Sequence, residues 1–383
     1  MATFYVSKSG NDSDNGTSGA PKLTIGAAIA LAVSAVGAGV GTNIITIGDG
    51  TYTETITYSL SNLTIKSTSS DRTAVIITQS SGATILLAKG TTGNVFQHLT
   101  IQNTDNTQND AGIYGGNGGS GVKATFTVED CIFDCKPTAI RYAHGCTIKR
   151  TKFLVNGADT GSDVYAIKDG TGASDATFNI EACLFVGWDK WAVAGSGGYC
   201  IMRNCTMVLH DSDQSTSYLF YWSGTNVEVY NTIGYGGDAA VDYGIRLQSA
   251  DSSHAVKNCI VFGAIRIPYS GTDSPTVTAQ IEDNDDVNTD GNTIFTAIGD
   301  ALIDDDYTIN ADGLAYGRGL AAALGSDGKD VDGNDFDGSN PNIGCYATVA
   351  SGWTAGTCTG VAHGDITSVD GVAKSAIASI NGV

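Results

Sequence analysis

The chain has 383 residues, of which 16% are charged, and its 20 Lys+Arg against 40 Asp+Glu leave a formal net charge of −20. That balance argues against a nucleic-acid partner, whose affinity rests on Lys/Arg contacts that release counterions, and against an anionic membrane surface. With 42% apolar residues the chain has surface to bury and is not a disordered type; a length beyond roughly 250–300 residues then calls for several domains or a repeat.

The first residues, MATFYVSKSGNDSDNG, show no cationic segment followed by an apolar one, so no secretory leader is expected. The most apolar stretch, 25–40, is broken by Gly26, Gly37 and Gly39 and is shorter than the roughly 20 residues of a spanning helix, so no membrane insertion is expected. Thr24 reads as a helix N-cap, with Ile25, Ala28, Ile29, Ala32 and Val33 at helical spacing behind it. A short capping helix followed by a first strand, NIITIGDGTYTE, is the expectation for this end.

From there one strand motif recurs: LSNLTI, FQHLTI, VEDCIF, IKRTKF, IEACLF, MRNCTM, VYNTIG and VKNCIV. Its fourth position falls at Leu63, Leu99, Cys131, Thr151, Cys183, Cys205, Thr232 and Cys259, in steps of 36, 32, 20, 32, 22, 27 and 27. A second series, AGIYGG, TAIRYA, YAIKDG, WAVAGS, YLFYWS, YGIRLQ and GAIRIP, interleaves with it. Its central apolar residues are Ile113, Ile140, Ile167, Val193, Phe220, Ile245 and Ile265, with steps of 27, 27, 26, 27, 25 and 20. Alternating strands that recur at this period require each coil to fold back onto its predecessor. The expected fold is all-β, a single-stranded parallel β-helix, divided as N-terminal strand and capping helix (1–42), β-helix (43–280), C-terminal coils and cap (281–348) and a tail (349–383).

The cysteines of the first series share a position with Leu and Thr, which makes them an interior ladder of free thiols. Cys131 and Cys135 form C-x3-C, but no second pair follows at zinc-finger distance. Asn204, Asn231 and Asn258, one residue earlier, read as a turn ladder whose amides satisfy neighbouring coils. In the second series the residue after the central apolar one faces outward: Tyr114, Arg141, Lys168, Ala194, Tyr221, Arg246 and Arg266. Cations and aromatics on one stripe of so acidic a chain point to subunit contact or to glycan binding by stacking and forked hydrogen bonds, with a plain solvated surface as the remaining reading.

Acidic runs at 283–292, 304–306 and 327–338 have the composition of calcium loops. Asp286, Asn288 and Asp290 match D-x-N-x-D-G, with Ala297 where the closing Glu would stand. A structural Ca2+ there is the alternative to turn-rich solvated loops, and no other cofactor is expected. Asp163, Asp169, Asp189, Asp238 and Asp242 stand near the second series, yet isolated Asp at β-helix turns is ordinarily a turn former. No catalytic residue is assigned.

The phrase YVSKSGNDSDNGTSGAPKLTIGAAIALA followed by IITIGDGTYTE resembles the opening of the pectate-lyase-like, right-handed parallel β-helix superfamily, where Y-V-S-x-x-G-x-D, P-x-x-T-I-x-x-A-I and G-x-Y-x-E recur in order. The segment DYTINADGLAYGRGLAAALGSDGKDVDGNDFDGSNPNIGCYA resembles its closing segment, D-x-D-G-N-x-R and P-D-I-G-A-Y-E. Asp335 replaces the usual Pro, the Arg is absent, Asn342 stands for Asp, and Cys345 and Ala347 stand for Ala and Glu. The resemblance spans roughly residues 4–348 and implies a right-handed helix. Its superfold hosts lyases, hydrolases, adhesins and viral spikes, so it leaves function open. The hydrolase set N-T-D, D-D, H-G and R-x-K and the lyase pattern R-x-P-x-x-R do not occur in order.

The last residues, GVAHGDITSVD and GVAKSAIASIN, are two 11-residue units that resemble tails of phage virion proteins. The expectation drawn from all of this is a structural or adhesive part of a virus particle, such as a phage tail spike, fibre or capsid decoration. It would be made in the host cytoplasm, dock to other virion proteins through its tail, form a homo-oligomer taken as a trimer, and contact surface polysaccharide. The alternative is an extracellular polysaccharide lyase or glycoside hydrolase acting on acidic polysaccharide.

Overall fold

A computed structural model describes residues 1–37, 41–105, 111–116, 123–136, 138–154, 165–169, 177–188, 191–208, 217–224, 226–235, 241–247, 255–262, 265–271, 315, 317, 319–347, 368–369 and 372–373. The chain winds into a right-handed parallel β-helix with three sheets. A first sheet of ten strands runs from Ala2–Val6 and Asn43–Ile47 to Ala255–Lys257, a second of nine from Gly50–Thr53 to Ile260–Phe262, and a third of nine from Ile56–Tyr58 to Ile265–Gly271. Each coil contributes one strand to each sheet in that order, and all the pairings in these sheets are parallel. The helix α1, Ile25–Gly37, closes the N-terminal end.

The residues that define α1 are legible atom by atom. Thr24 Oγ1 accepts from the Ala27 N–H at 3.2 Å, as an N-cap does. The Glu54 carboxylate accepts from the N–H groups of Ile25 and Gly26, both at 2.9 Å, placing negative charge on the positive end of the helix dipole. Ile25, Ala28, Ile29 and Ala32 are buried as expected, whereas Val33 is 48% exposed. The 3.6-residue turn carries Val33 past the edge of the face that meets the solenoid.

Between the first and second sheets eight coils turn at one residue, while the first coil passes from Asn43–Ile47 to Gly50–Thr53 without a left-handed residue at Gly48 or Asp49. Asn62, His98, Asp130, Arg150, Ala182, Asn204, Asn231 and Asn258 all have φ between 45° and 58°, the left-handed region. These are the residues one before the marker of the first repeat series. The marker residue itself points inward and answers the corner's chemistry. Cys131, Cys183, Cys205 and Cys259 each turn Sγ to the carbonyl two residues back at 3.2–3.4 Å. Thr151 and Thr232 Oγ1 do the same at 2.9 Å. After Leu63 and Leu99, Cys and Thr share this column because both are small and carry one donor. Behind them Phe133, Phe153 and Phe185 stack with centroids 5.0 and 4.7 Å apart.

The amides of Asn204 and Asn231 do not ladder onto adjacent coils, as the sequence had suggested. Asn204 Nδ2 donates to the carbonyl of Asn342, and Asn231 exchanges two bonds with the backbone of Leu320, Nδ2 to O at 3.1 Å and N–H to Oδ1 at 2.6 Å. The segment 319–347 lies along the outside of the second sheet. Val331, Ile343, Cys345 and Tyr346 pack on Leu184, Val186, Val208, Ile233 and Ile260. Arg150 clasps its edge, paired with Glu129, Asp130 and Asp327, while Arg72 and Lys152 hold Asp332. Buried Asp330 organises the loop, its carboxylate accepting from the N–H groups of Asp332, Asn334 and Ala347. Of the tail, Ser368–Val369 and Val372–Ala373 pair antiparallel, across the junction of the two 11-residue units.

Burial pushes the thiols of Cys131 and Cys259 up to about 12, with desolvation the leading cause. The folded chain keeps these protons while the unfolded chain releases them near ~8.5. Stability is therefore fully present below that value and falls as pH rises above it, by up to ~1.4 kcal/mol per pH unit for each thiol. Urea midpoints measured from pH 7 to 10 should show the decline, and Cys131→Thr with Cys259→Thr should make it shallower with little change at pH 7, the remainder coming from the other buried thiols, such as Cys135, Cys200 and Cys345. A second expectation concerns Asn231→Gly, which keeps the corner conformation but removes both bonds to Leu320. Hydrogen exchange in 319–347 should speed up while exchange in the three sheets is unchanged.

Candidate functional site

The third sheet presents the candidate site on its outer face. Register places Tyr114, Arg141, Lys168, Ala194, Tyr221 and Arg246 in one column, each directly beside the next. Arg266 is not part of it. Ile265 pairs with Val241 and Ile267 with Tyr243, so Arg266 falls beside Asp242, and Ser270 is the residue paired with Arg246. The motif GAIRIP mimics YGIRLQ, but the true partner of Ile245 is Tyr269, which explains why the last repeat step looked short.

A second column, which the alternation rule concealed, stands alongside the first. Tyr165, Trp191, Tyr218 and Tyr243 are paired strand to strand two residues before the central apolar positions. Strict alternation would point them inward. Instead Ala166 with Ile167, Ala192 with Val193 and Leu219 with Phe220 both enter the core at consecutive positions. The strand thus changes face once and sets the aromatic column beside the cations, with Trp191 and Tyr243 half-buried and Tyr165, Tyr218 and Arg141 almost covered, at 2%, 6% and 8% exposure. The visible signal was the recurring aromatic initial of YAIKD, WAVAG, YLFYW and YGIRL.

Contacts knit the two columns. Trp191 and Tyr221 stack with centroids 5.5 Å apart and an interplanar angle of 23°, and Tyr218 and Tyr243 stack at 5.0 Å and 12°. The Arg246 guanidinium lies 4.8 Å from the ring of Tyr243, 5.1 Å from Tyr218 and 5.9 Å from Tyr221, and donates to Tyr218 Oη. Lys168 Nζ sits 4.1 Å over Tyr165, which in turn packs edge-on to Trp191. Toward the N-terminal coils, Arg141 lies 4.6 Å over Tyr142 and Lys123 5.4 Å over the same ring, with Tyr114 edge-on to it. Lys123 is buried and its ammonium is held below its ordinary value by that desolvation and by nearby Lys89. From Tyr114 to Arg246 the array crosses five strand spacings, ~24 Å at ~4.8 Å each.

Burial raises the Tyr218 hydroxyl above its ordinary range, against the opposing pull of Arg246. The hydroxyl thus stays protonated and able to bond a ligand at neutral pH. Asp169 flanks the face, accepting from the Ser196 N–H at 3.3 Å. Trp188 is not on the face; it is fully buried and packs edge-on to Phe185. Asp163, Asp189 and Asp238 lie outside the described residues, as do the calcium-loop candidates Asp286, Asn288 and Asp290 and the run 304–306. In the described acidic run, Asp327, Asp332 and Asp335 pair with Arg150, Lys152 and Lys329, and Asp337 accepts from the N–H groups of Ser339 and Asn340. Among the described residues no group of three metal-ligating side chains converges.

No family model matches the chain, and no curated protein matches it. Among solved structures it is similar to the pectate lyase Pel9A, at 14% identity and a TM-score of 0.50, over 90% of this chain and 96% of that one. It is also similar to a pectin methylesterase from Aspergillus niger, at 12% identity and a TM-score of 0.38 over 79% and 93% of the two chains. A third is the pectin methylesterase PemA from Erwinia chrysanthemi, at 14% identity and a TM-score of 0.34 over 80% and 98%. The likeness to the pectate lyase bears out the right-handed parallel β-helix that the opening motifs implied.

Arg246 serves three rings at once, and a half-buried cation–π contact contributes about 0.5–2 kcal/mol. Arg246→Ala should therefore lower the urea midpoint measurably, Arg246→Lys should lower it less, and Arg266→Ala, outside the column, should leave it nearer to the parent's.

Proposed function

We propose that the protein is a glycan-binding β-helix whose third-sheet face holds an acidic polysaccharide. The observation that carries this is Arg246 lying over three tyrosine rings beside the Trp191–Tyr221 stack, in line with Lys168 and Arg141. Aromatic faces accept the C–H side of sugar rings, and guanidinium and ammonium groups pair with sugar carboxylates. The array is long enough for several sugar units, and its cations stand out on a chain of net charge −20. Pectate, the substrate in the name of the structural neighbour, is itself an acidic polysaccharide.

The setting we propose for this binding is a virus particle, as a tail spike, fibre or capsid decoration. The tail 349–383 would dock to other virion proteins, and the chain would associate with copies of itself as a trimer. The repeated 11-residue units, with an ordered antiparallel pair at their junction, support a docking role. Sedimentation at micromolar concentration should show an oligomer; a monomer would count against the assembly, and absence of the chain from purified particles against the setting.

A second reading, cleavage of the bound polysaccharide by a lyase or hydrolase activity, is favoured by the likeness to a pectate lyase and by Arg141 and Lys168 on adjacent coils. Calorimetry with polygalacturonate and alginate should show binding that weakens as salt rises. Lys168→Gln with Arg246→Gln should weaken it about tenfold or more, and Trp191→Ala should do so at high salt as well. Unsaturated-product absorbance or new reducing ends in the same incubations would select the enzymatic reading; no binding at low salt would sink both.

A further inference from the structure

A different face of the solenoid carries a second feature, independent of the third-sheet array. On the outside of the first sheet a groove of 410 Å³ opens over the strands Thr125–Glu129, Gly145–Lys149 and Thr177–Glu181. We propose that this groove is a carbohydrate subsite for a single neutral sugar unit.

Its walls and floor have the two-sided chemistry of a pyranose. Thr127, Thr147 and Asn179 are direct neighbours in register, one polar side chain per coil, and all three line the groove. The hydroxyls of Thr84 and Thr100 are tied to the carbonyls of Gln102 and Arg72. Among the described residues, those of Thr127 and Thr147 have no protein partner. The floor is apolar. Phe126 and Cys146 are each 4% exposed, while Phe178 and Cys200, next in the same interior column, are fully covered.

Gly145 keeps that floor open. A Cβ placed there would stand 2.6 Å from the Thr177 carbonyl oxygen, so the close strand approach excludes a side chain and uncovers the atoms beneath. The volume lies within the ~300–1,000 Å³ of small-molecule sites.

His144 also lines the groove, but no Asp, Glu, Lys or Arg does, and this sets the class of ligand. Two residues further along the same strands stand Glu129, Lys149 and Glu181. Glu129 is paired with Arg150, and Lys149 with Glu181 at 3.6 Å. Neutral hydroxyls and the Asn179 amide facing sugar hydroxyls describe an uncharged ligand, in contrast to the cationic third-sheet face. Because the groove is built on strands, its polar atoms are held at fixed spacing before any ligand arrives.

Saturation-transfer NMR on the full chain with methyl α-glucoside, methyl β-galactoside and N-acetylglucosamine tests this. At least one should receive saturation, and Thr127→Val with Thr147→Val should weaken it at least tenfold. Valine keeps the branched shape and strand preference while removing both hydroxyls, and circular dichroism should match the parent. Trp191→Ala should leave the signal unchanged. Silence from all three sugars, a signal that survives the double valine variant, or one that vanishes with Trp191→Ala would overturn the assignment. The acidic-polysaccharide measurement reads the other face, so either proposal can fail alone.

Discussion

Eight coils of this protein turn from the first to the second sheet at one left-handed residue, and the architecture beyond the first coil depends on that corner repeating. A left-handed conformation costs an ordinary residue roughly 1–2 kcal/mol, yet Asp130, Arg150 and Ala182 adopt it as do the asparagines. In six of the corners the inward Cys or Thr that follows bonds the carbonyl the corner leaves behind, Leu63 and Leu99 filling that place in the other two, and stacking of like corners offsets the strain. Because the corner is invariant, strands enter each sheet in the same register whatever length of loop lies elsewhere in the coil. That is why side chains from steps of 20 to 36 residues can still form straight columns.

The corner also serves as an attachment rail. Its outward side chains are unconstrained by the core, so Arg150, Asn204 and Asn231 are free to hold the segment 319–347 against the second sheet. The carboxylates of that segment are engaged by Arg72, Arg150, Lys152 and its own amides. Five apolar residues of the second sheet are covered as a result. Here the acidic run 327–338 forms the polar edge of a lateral cover, in which protein cations and amide N–H groups meet the acids.

The third sheet shows how a small break in alternation creates a surface. Two consecutive inward residues per strand, such as Ala192 and Val193, are accommodated because the first is usually small. The consequence is a doubled outer face, aromatic in one column and cationic in the other, where a regular strand would show one. Concentrating Arg141, Lys168 and Arg246 there gives a locally positive strip on an acidic protein. It is the kind of local field that a bulk net charge hides.

Period, order and composition were enough to specify a parallel β-helix, its capping helix at Thr24, the inward cysteines and most of the cation column, because these follow from repetition along one dimension. Three things required the folded chain. Arg266 left the column because register is set by hydrogen bonding between coils, which a similar motif cannot report. The aromatic column emerged because a strand's face depends on where its neighbours let it bend. The segment 319–347 found the second sheet because contacts more than a hundred residues apart, such as Asn204 to Asn342, are decided by which surfaces the solenoid leaves uncovered. Sequence repetition determines what stacks; only the completed stack determines what its outer faces meet.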